Sequence, residues 1–412
     1  MNESAIMRHG HLLSLLHRLV HLVSTSVGSD VPRWAIQPMK YEIGKYLKDS
    51  VDILVVGGEE GGNFAYDYSL DGLYRLLATA LGDEIARDVM EELPEHMAVF
   101  HFPFGERDNV LAHGAFFHEV AHQIDIGIRG ISERVVTQFL ADYDAELRQR
   151  VRSASEILLQ QIFGDDKKGE QKSFEEEQAE LLLEDFVKAV QGILWNWARE
   201  FCADLLATRI LGPAYAVVVV ISPALLHNLN YHSPSHPSTM LRLKVVLDLL
   251  SHPEAGDFFQ ICGTALERAG IRRLLEDWRA RSSGANYGAM KWISPAHPAN
   301  PTLHGAVIPL AQKLALDILT SVVEETKEQE YYSPGQYNED IETVLPILEQ
   351  WITINERINT STREHNPNGI STIYNVGVAR FLQEESLEKR RRLSRLLKKS
   401  IELSYIQQAL QT

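Results

Sequence analysis

His118 and His122 stand four residues apart, with Glu119 directly after the first, in the run His118-Glu119-Val120-Ala121-His122. On a helix, positions i and i+4 share one face about a turn apart. Both imidazoles can therefore reach a single divalent cation at ~2.0 Å, while the glutamate approaches the water held beside it. The chemistry this pattern serves is metal-assisted hydrolysis with a carboxylate as the base. A tetrahedral catalytic zinc takes three protein ligands and keeps one position open, so a third ligand has to come from elsewhere. Glu200 and Asp204 are again i and i+4, within the apolar run Trp197-Ala198-Arg199-Glu200-Phe201-Cys202-Ala203-Asp204. Burying two unpaired carboxylates costs on the order of several kcal/mol each, which makes a metal and an imidazole N–H natural partners for them. The competing reading makes them surface charges paired with Arg199 or Arg209.

A third element follows at His236-Pro237-Ser238-Thr239-Met240-Leu241-Arg242. The metzincin pattern HExxHxxGxxH is excluded, because Asp125 occupies its glycine position and Ile128 its last histidine position. The succession HExxH, ExxxD and HPxxxxR, in that order, resembles the HtpX-like and CAAX-prenyl-endopeptidase-like gluzincin metallopeptidases. The resemblance spans residues 116–247 and is carried by the three motifs. It implies one Zn²⁺ per chain held by His118, His122 and Glu200, with Glu119 as the base and Asp204 holding His118. It also implies His236 near the cleft as a hydrogen-bond donor to the developing oxyanion, and Arg242 as the organiser of the acidic site. In gluzincins an edge strand ahead of the HExxH helix binds extended substrate by strand addition, which points here to Val99, Phe100 and His101. Asn109 follows that strand, either lining the cleft or capping the helix. Taken alone, His236 before a proline in a polar loop is as readily structural, and His232 or His227 could serve in its place. Cys202 reads as a packed thiol rather than a ligand.

These residues need elements to position them. Val51 to Val56 is a β-branched run stopped by Gly57 and Gly58, and Ala98 to Pro103 is a second strand ended by proline and glycine. Helical periodicity covers His11–Ser26, Tyr74–Glu92, Val110–Ile128, Ser132–Ile162, Leu181–Leu211 and Thr239–Leu250, then Asp340–Asn355 with a restart at Pro346. The expected fold class is α+β and predominantly α-helical: a zincin-like core with a small N-terminal sheet and a helical C-terminal region. The expected divisions are 1–163, an acidic hinge or insertion at 164–186, the second half of the core at 187–255, and a helical region at 256–412. The hinge is read from nine acidic side chains against three lysines between Asp165 and Asp185. The apolar stretch Leu211–Leu226 contains Pro213 and Pro223 and falls short of the ~20 residues of a spanning helix, so it is read as a buried core helix.

Composition narrows the function classes. The 412 residues carry a formal charge of -16, which gives no general attraction to nucleic acid or anionic lipid. Two cysteines in such a length suit a reducing compartment, so the chain is expected in the cytoplasm without stable membrane insertion. The basic cluster from Lys389 to Lys399 is read as the exposed face of a terminal helix docked through Leu393, Leu396 and Leu397, with a regulatory partner at this C-terminal region as the other option. The glycine-rich Gly57-Gly58-Glu59-Glu60-Gly61-Gly62 has two acids at its centre, which would repel phosphate. The function expected is that of a zinc metalloendopeptidase acting on protein or peptide substrates, with a regulated intracellular protease as one form of it, the alternative being a non-catalytic zinc-binding regulatory or interaction protein on the same scaffold.

Overall fold

Every fourth residue of the run Leu310, Leu314, Ile318 and Val322 is apolar and fully or almost fully buried, the spacing that commits one helical stripe to a core. In the computed structural model this run lies on the helix Pro301–Glu325, which packs with the helices Ile131–Phe163 and Lys172–Leu211. The structure describes residues 52–58, 65–67, 82–91, 97–103, 109–125, 130–163, 172–225, 230–292, 301–327, 331–354 and 369–409, together with residues 44, 78 and 329. The expected helix at 11–26 lies outside them. Among the described residues the protein is predominantly helical, with few strands, as the sequence patterning predicts.

The chain forms two compact units, Arg129–Asn338 and the combination of Met1–Ile128 with Glu339–Thr412. The C-terminal segment thus clusters with the N-terminal one, a division that sequence order does not suggest.

In the Arg129–Asn338 unit, Val136, Phe139, Leu147 and Val151 from the first long helix share the core with Leu194, Trp197, Phe201 and Leu205 from the second. The second helix begins at Lys172, so most of the stretch expected as an acidic hinge is helix; residues 164–171 lie outside the described ones. The helix ends at Leu211, where Gly212 adopts φ 60 and lets the chain turn into Pro213–Leu225. Ala214, Tyr215, Ala216, Val217 and Val218 of that next helix are all buried, as expected of a core helix. By length and composition Gly305–Glu325 could cross a membrane, yet 61% of its apolar window is buried inside the protein.

In the other unit, β3 (Met97–Pro103) lies between β1 (Asp52–Gly58), to which it is parallel, and β2 (Ala65–Asp67), to which it is antiparallel. The HExxH helix is shorter than expected, Ala115–Ile124, and is entered through a 3-10 turn, Ala112–Gly114. Its inward face contributes Phe116, Phe117, Val120 and Ala121 to the core. Phe117 meets Tyr374 edge to face at 5.8 Å, which ties this helix to Ile370–Gln383 near the C-terminus. Helix Leu387–Ala409 docks through Leu393, Leu397 and Ile401, all buried. At Gly377 an added Cβ would sit 2.9 Å from Leu397, so the glycine permits the two C-terminal helices to approach. Pro346 falls in the first turn of a restarted helix, Leu345–Glu349, where a missing N–H costs nothing.

Candidate metal centre

The HExxH helix supplies the histidines by local geometry alone. His118 and His122 are each 8% exposed, and their rings lie 4.6 Å apart at 77°. Glu119 is on the same helix, half-buried. The helix enters without a side-chain N-cap of its own, and the preceding turn is held by Asn109, whose carbonyl and side chain both accept from the Ala112 N–H. Asn109 therefore has the capping geometry of the two readings open for it.

The strand expectation needs correction. Val99, Phe100 and His101 pair with Leu54, Val55 and Val56 on one side and with Asp67, Tyr66 and Ala65 on the other. They occupy the central strand of the sheet, not an edge. Strand addition at these three residues has no unpaired backbone to use, because both sets of ladder groups are engaged.

The carboxylates come from the long helix Lys172–Leu211, and their surroundings are built by residues distant in sequence. Glu200 is 7% exposed and Asp204 is completely buried. Arg242 grips Asp204 with two nitrogens, Nε to Oδ2 at 2.7 Å and Nη2 to Oδ1 at 2.7 Å. Its remaining terminal nitrogen, Nη1, is 3.5 Å from Glu200 Oε2. One guanidinium thus spans both acids of the ExxxD motif. Burial by itself would disfavour the charge on Arg242, but Asp204 and then Glu200 outweigh it and hold the cation well above its ordinary range. The surface-pair reading with Arg199 or Arg209 does not describe these acids: Arg209 instead donates to the carbonyls of Ala255 and Thr326.

Tyr215 is a member of this group that sequence reasoning missed. Its hydroxyl donates to Asp204 Oδ1 at 2.7 Å, and the side chain is 1% exposed. Burial, followed by the neighbouring Asp204 charge, pushes its ionisation well above the usual tyrosine range, so it remains a donor. The signal available in the sequence was a single hydroxyl in the otherwise apolar run Pro213–Val220, where a buried O–H has to find a partner.

His236 is set by its loop. Ser233 N–H donates to the His236 carbonyl at 2.8 Å, and His236 N–H donates to Ser233 Oγ at 2.9 Å. The same loop is tied to the long helix by Trp197, whose indole N–H donates to the Ser233 carbonyl at 2.9 Å, three residues before Glu200. Pro237 then leads into Ser238, which caps helix Thr239–Leu250 by accepting from Leu241 N–H and so places Arg242 in its first turn. The His236 ring is 58% exposed, with Nε2 3.6 Å from Glu200 Oε1 and Nδ1 2.8 Å from Ser235 Oγ. His232, the other candidate, is structural. Its Nδ1 accepts from the Ser238 N–H at 2.9 Å, its Nε2 faces the Tyr287 carbonyl at 3.2 Å, and its ring stacks on Trp197 at 5.1 Å. Burial lowers its pKa from 6.5 to about 4. Cys202 is buried and in no disulfide, in keeping with a packed thiol.

His118 and His122 offer two imidazole nitrogens from one helix, Ala115–Ile124, and Glu200 offers a carboxylate from another, Lys172–Leu211. The donor set of two neutral imidazoles and one carboxylate fits zinc chemically. Compared with protein-family models, with curated proteins and with solved structures, the chain matches none.

Proposed function

We propose that this protein is a zinc metalloendopeptidase of the gluzincin type, with His118, His122 and Glu200 as ligands and Glu119 as general base. The observation that carries the reading is the pair of buried imidazoles on one helix face, their rings 4.6 Å apart, with the glutamate between them in sequence as the base such chemistry needs. Zinc, when bound, supplies a Lewis acid that polarises the scissile carbonyl and acidifies a water. The zincin-like core, strand before HExxH helix and a second helix bearing the glutamate, is part of the same proposal.

The work of the chain's own residues follows from their positions. Glu119, half-buried on the HExxH helix, takes the proton of the attacking water onto its carboxylate and delivers it to the leaving amine. His236, exposed and one side chain away from Glu200, donates from Nε2 to the carbonyl oxygen as charge develops there. Arg242 compensates the negative charge of Glu200 and Asp204 in their buried setting. The resemblance to gluzincins assigns Asp204 to holding His118, and its bonds to Arg242 and Tyr215 leave lone-pair capacity for that role. The substrates are proteins or peptides. The reading puts the enzyme in the cytoplasm, and two buried cysteines outside any disulfide support it.

Metal analysis of the purified chain, combined with a proteome-wide comparison of cleavage products between wild type and Glu119→Gln, tests the proposal. About one zinc per chain and products lost in the variant are the expected results. Zinc without turnover in either protein would transfer the assignment to a regulatory zinc-binding protein.

A further inference from the structure

We propose that Tyr215 is a positioning residue for the metal centre, acting through Asp204 and Arg242 on Glu200. The inference rests on the metal-site reading above and assigns to it a residue that lies in none of the three motifs.

The argument starts from how a guanidinium can be oriented. Its five N–H groups lie in one plane, and a carboxylate that takes two of them along one edge fixes that plane. Here the edge formed by Nε and Nη2 is given to Asp204, so Nη1 is left as the group that faces Glu200 Oε2 at 3.5 Å. The direction of Nη1 is therefore only as well defined as the orientation of the Asp204 carboxylate. Asp204 sits on the same helix as Glu200, one turn on, and a donor arriving from another helix narrows the orientations open to its carboxyl plane. The Tyr215 hydroxyl is such a group. It arrives from the next helix, bonds Oδ1 at 2.7 Å, and cannot be replaced by water in a pocket where Asp204 is fully buried and Tyr215 is 1% exposed. Burial and the neighbouring Asp204 charge both favour the protonated hydroxyl, the form that donates.

This arrangement has a consequence for Glu200. Oε2 faces the buried guanidinium of Arg242 and Oε1 faces the exposed ring of His236 at 3.6 Å, so the oxygen a metal can reach without displacing the guanidinium is Oε1, and Glu200 is predisposed to bind through one atom rather than two. Loss of the Tyr215 hydroxyl lets the Asp204–Arg242 pair swing, and Glu200 then has to be ordered at the moment a metal binds.

The test uses the full chain titrated with zinc alone, and with cobalt(II) as a spectroscopic probe of ligand geometry. Tyr215→Phe, which keeps the ring volume, is expected to weaken zinc about tenfold and to alter the visible cobalt bands. In the Arg242→Gln background the same change is expected to alter affinity by less than about twofold, because the route through the guanidinium is already cut. An Asp204→Asn chain reads the coupling from the other side, with weakened zinc that Tyr215→Phe does not weaken further. Tyr215→Phe binding zinc as tightly as wild type, or additive losses in either background, would overturn the proposal. Failure of the underlying reading is distinct: wild type would take up no zinc, or Glu200→Ala would retain all of it.

Discussion

The two halves of the candidate metal centre are made in different ways. The histidine half is a five-residue pattern on one short helix, Ala115–Ile124, and needs little beyond helical spacing to bring its rings to 4.6 Å. The carboxylate half draws on residues 200, 204, 215, 236 and 242, taken from two helices, a helix start and a loop, with Arg242 reaching back to Asp204 and Glu200 and Tyr215 bonding Asp204 from the next helix. A half built from spacing tolerates change outside the motif. One built from long-range hydrogen bonds transmits a change at any member to the others.

The largest effect should come from the ligands themselves. Alanine in place of His118, His122 or Glu200 is expected to remove nearly all zinc, measured by metal analysis after dialysis, since each leaves the ion too few donors. Full retention in Glu200→Ala would break the comparison at once, by showing that the histidine half binds without the carboxylate half.

Next in size is Arg242→Ala. It strands two buried carboxylates and should cost about 3–5 kcal/mol in chemical denaturation, whereas loss of an imidazole from the other half should cost far less. Wild-type stability in this variant would mean that the guanidinium does not organise the acidic side.

The loop that sets His236 has its own pH signature through His232. Folded His232 has a pKa near 4 against 6.5 when unfolded, so the unfolded chain binds the proton first as the pH falls. Stability from the neutral ring is complete above pH 6.5 and is lost on acidification toward 4, by about 3 kcal/mol for a shift of this size. Denaturation midpoints of wild type and His232→Gln across that window check the slope, which should be shallower in the variant.

Glu119→Gln retains shape but cannot accept a proton, so zinc should stay bound while turnover falls at least ~10²-fold. The smallest effect is expected at His236→Phe. Zinc affinity should be nearly unchanged and turnover reduced about tenfold, less than for a buried donor because the ring is 58% exposed. Loss of zinc in this variant would make His236 a ligand and move it to the binding side of the comparison.

Much of the centre was legible because its signals are local. The HExxH helix, the ExxxD helix and the cap that starts Thr239–Leu250 each follow from spacing and capping chemistry. The role of the central strand was not legible, since a strand's neighbours are set by chain segments whose pairing partners are not written in its own residues; Val99, Phe100 and His101 accordingly turned out to be flanked on both sides. Tyr215 was hidden among apolar residues for the same reason, its partner lying eleven positions away across a helix turn.

By itself the sequence determined what periodicity and side-chain chemistry dictate: a predominantly helical chain, two imidazoles on one face, two acids one turn apart, and a terminal helix docked through Leu393 and Leu397. Only the tertiary structure decided that one guanidinium spans Glu200 and Asp204, that a tyrosine completes the grip, that His232 is a packing residue while His236 faces Glu200, and that residues 339–412 cluster with the N-terminal segment. The physical reason is that hydrogen-bond partners and helix contacts are chosen by burial. A buried polar atom must be satisfied, but which residue satisfies it depends on which helices meet, and that is a property of packing rather than of spacing.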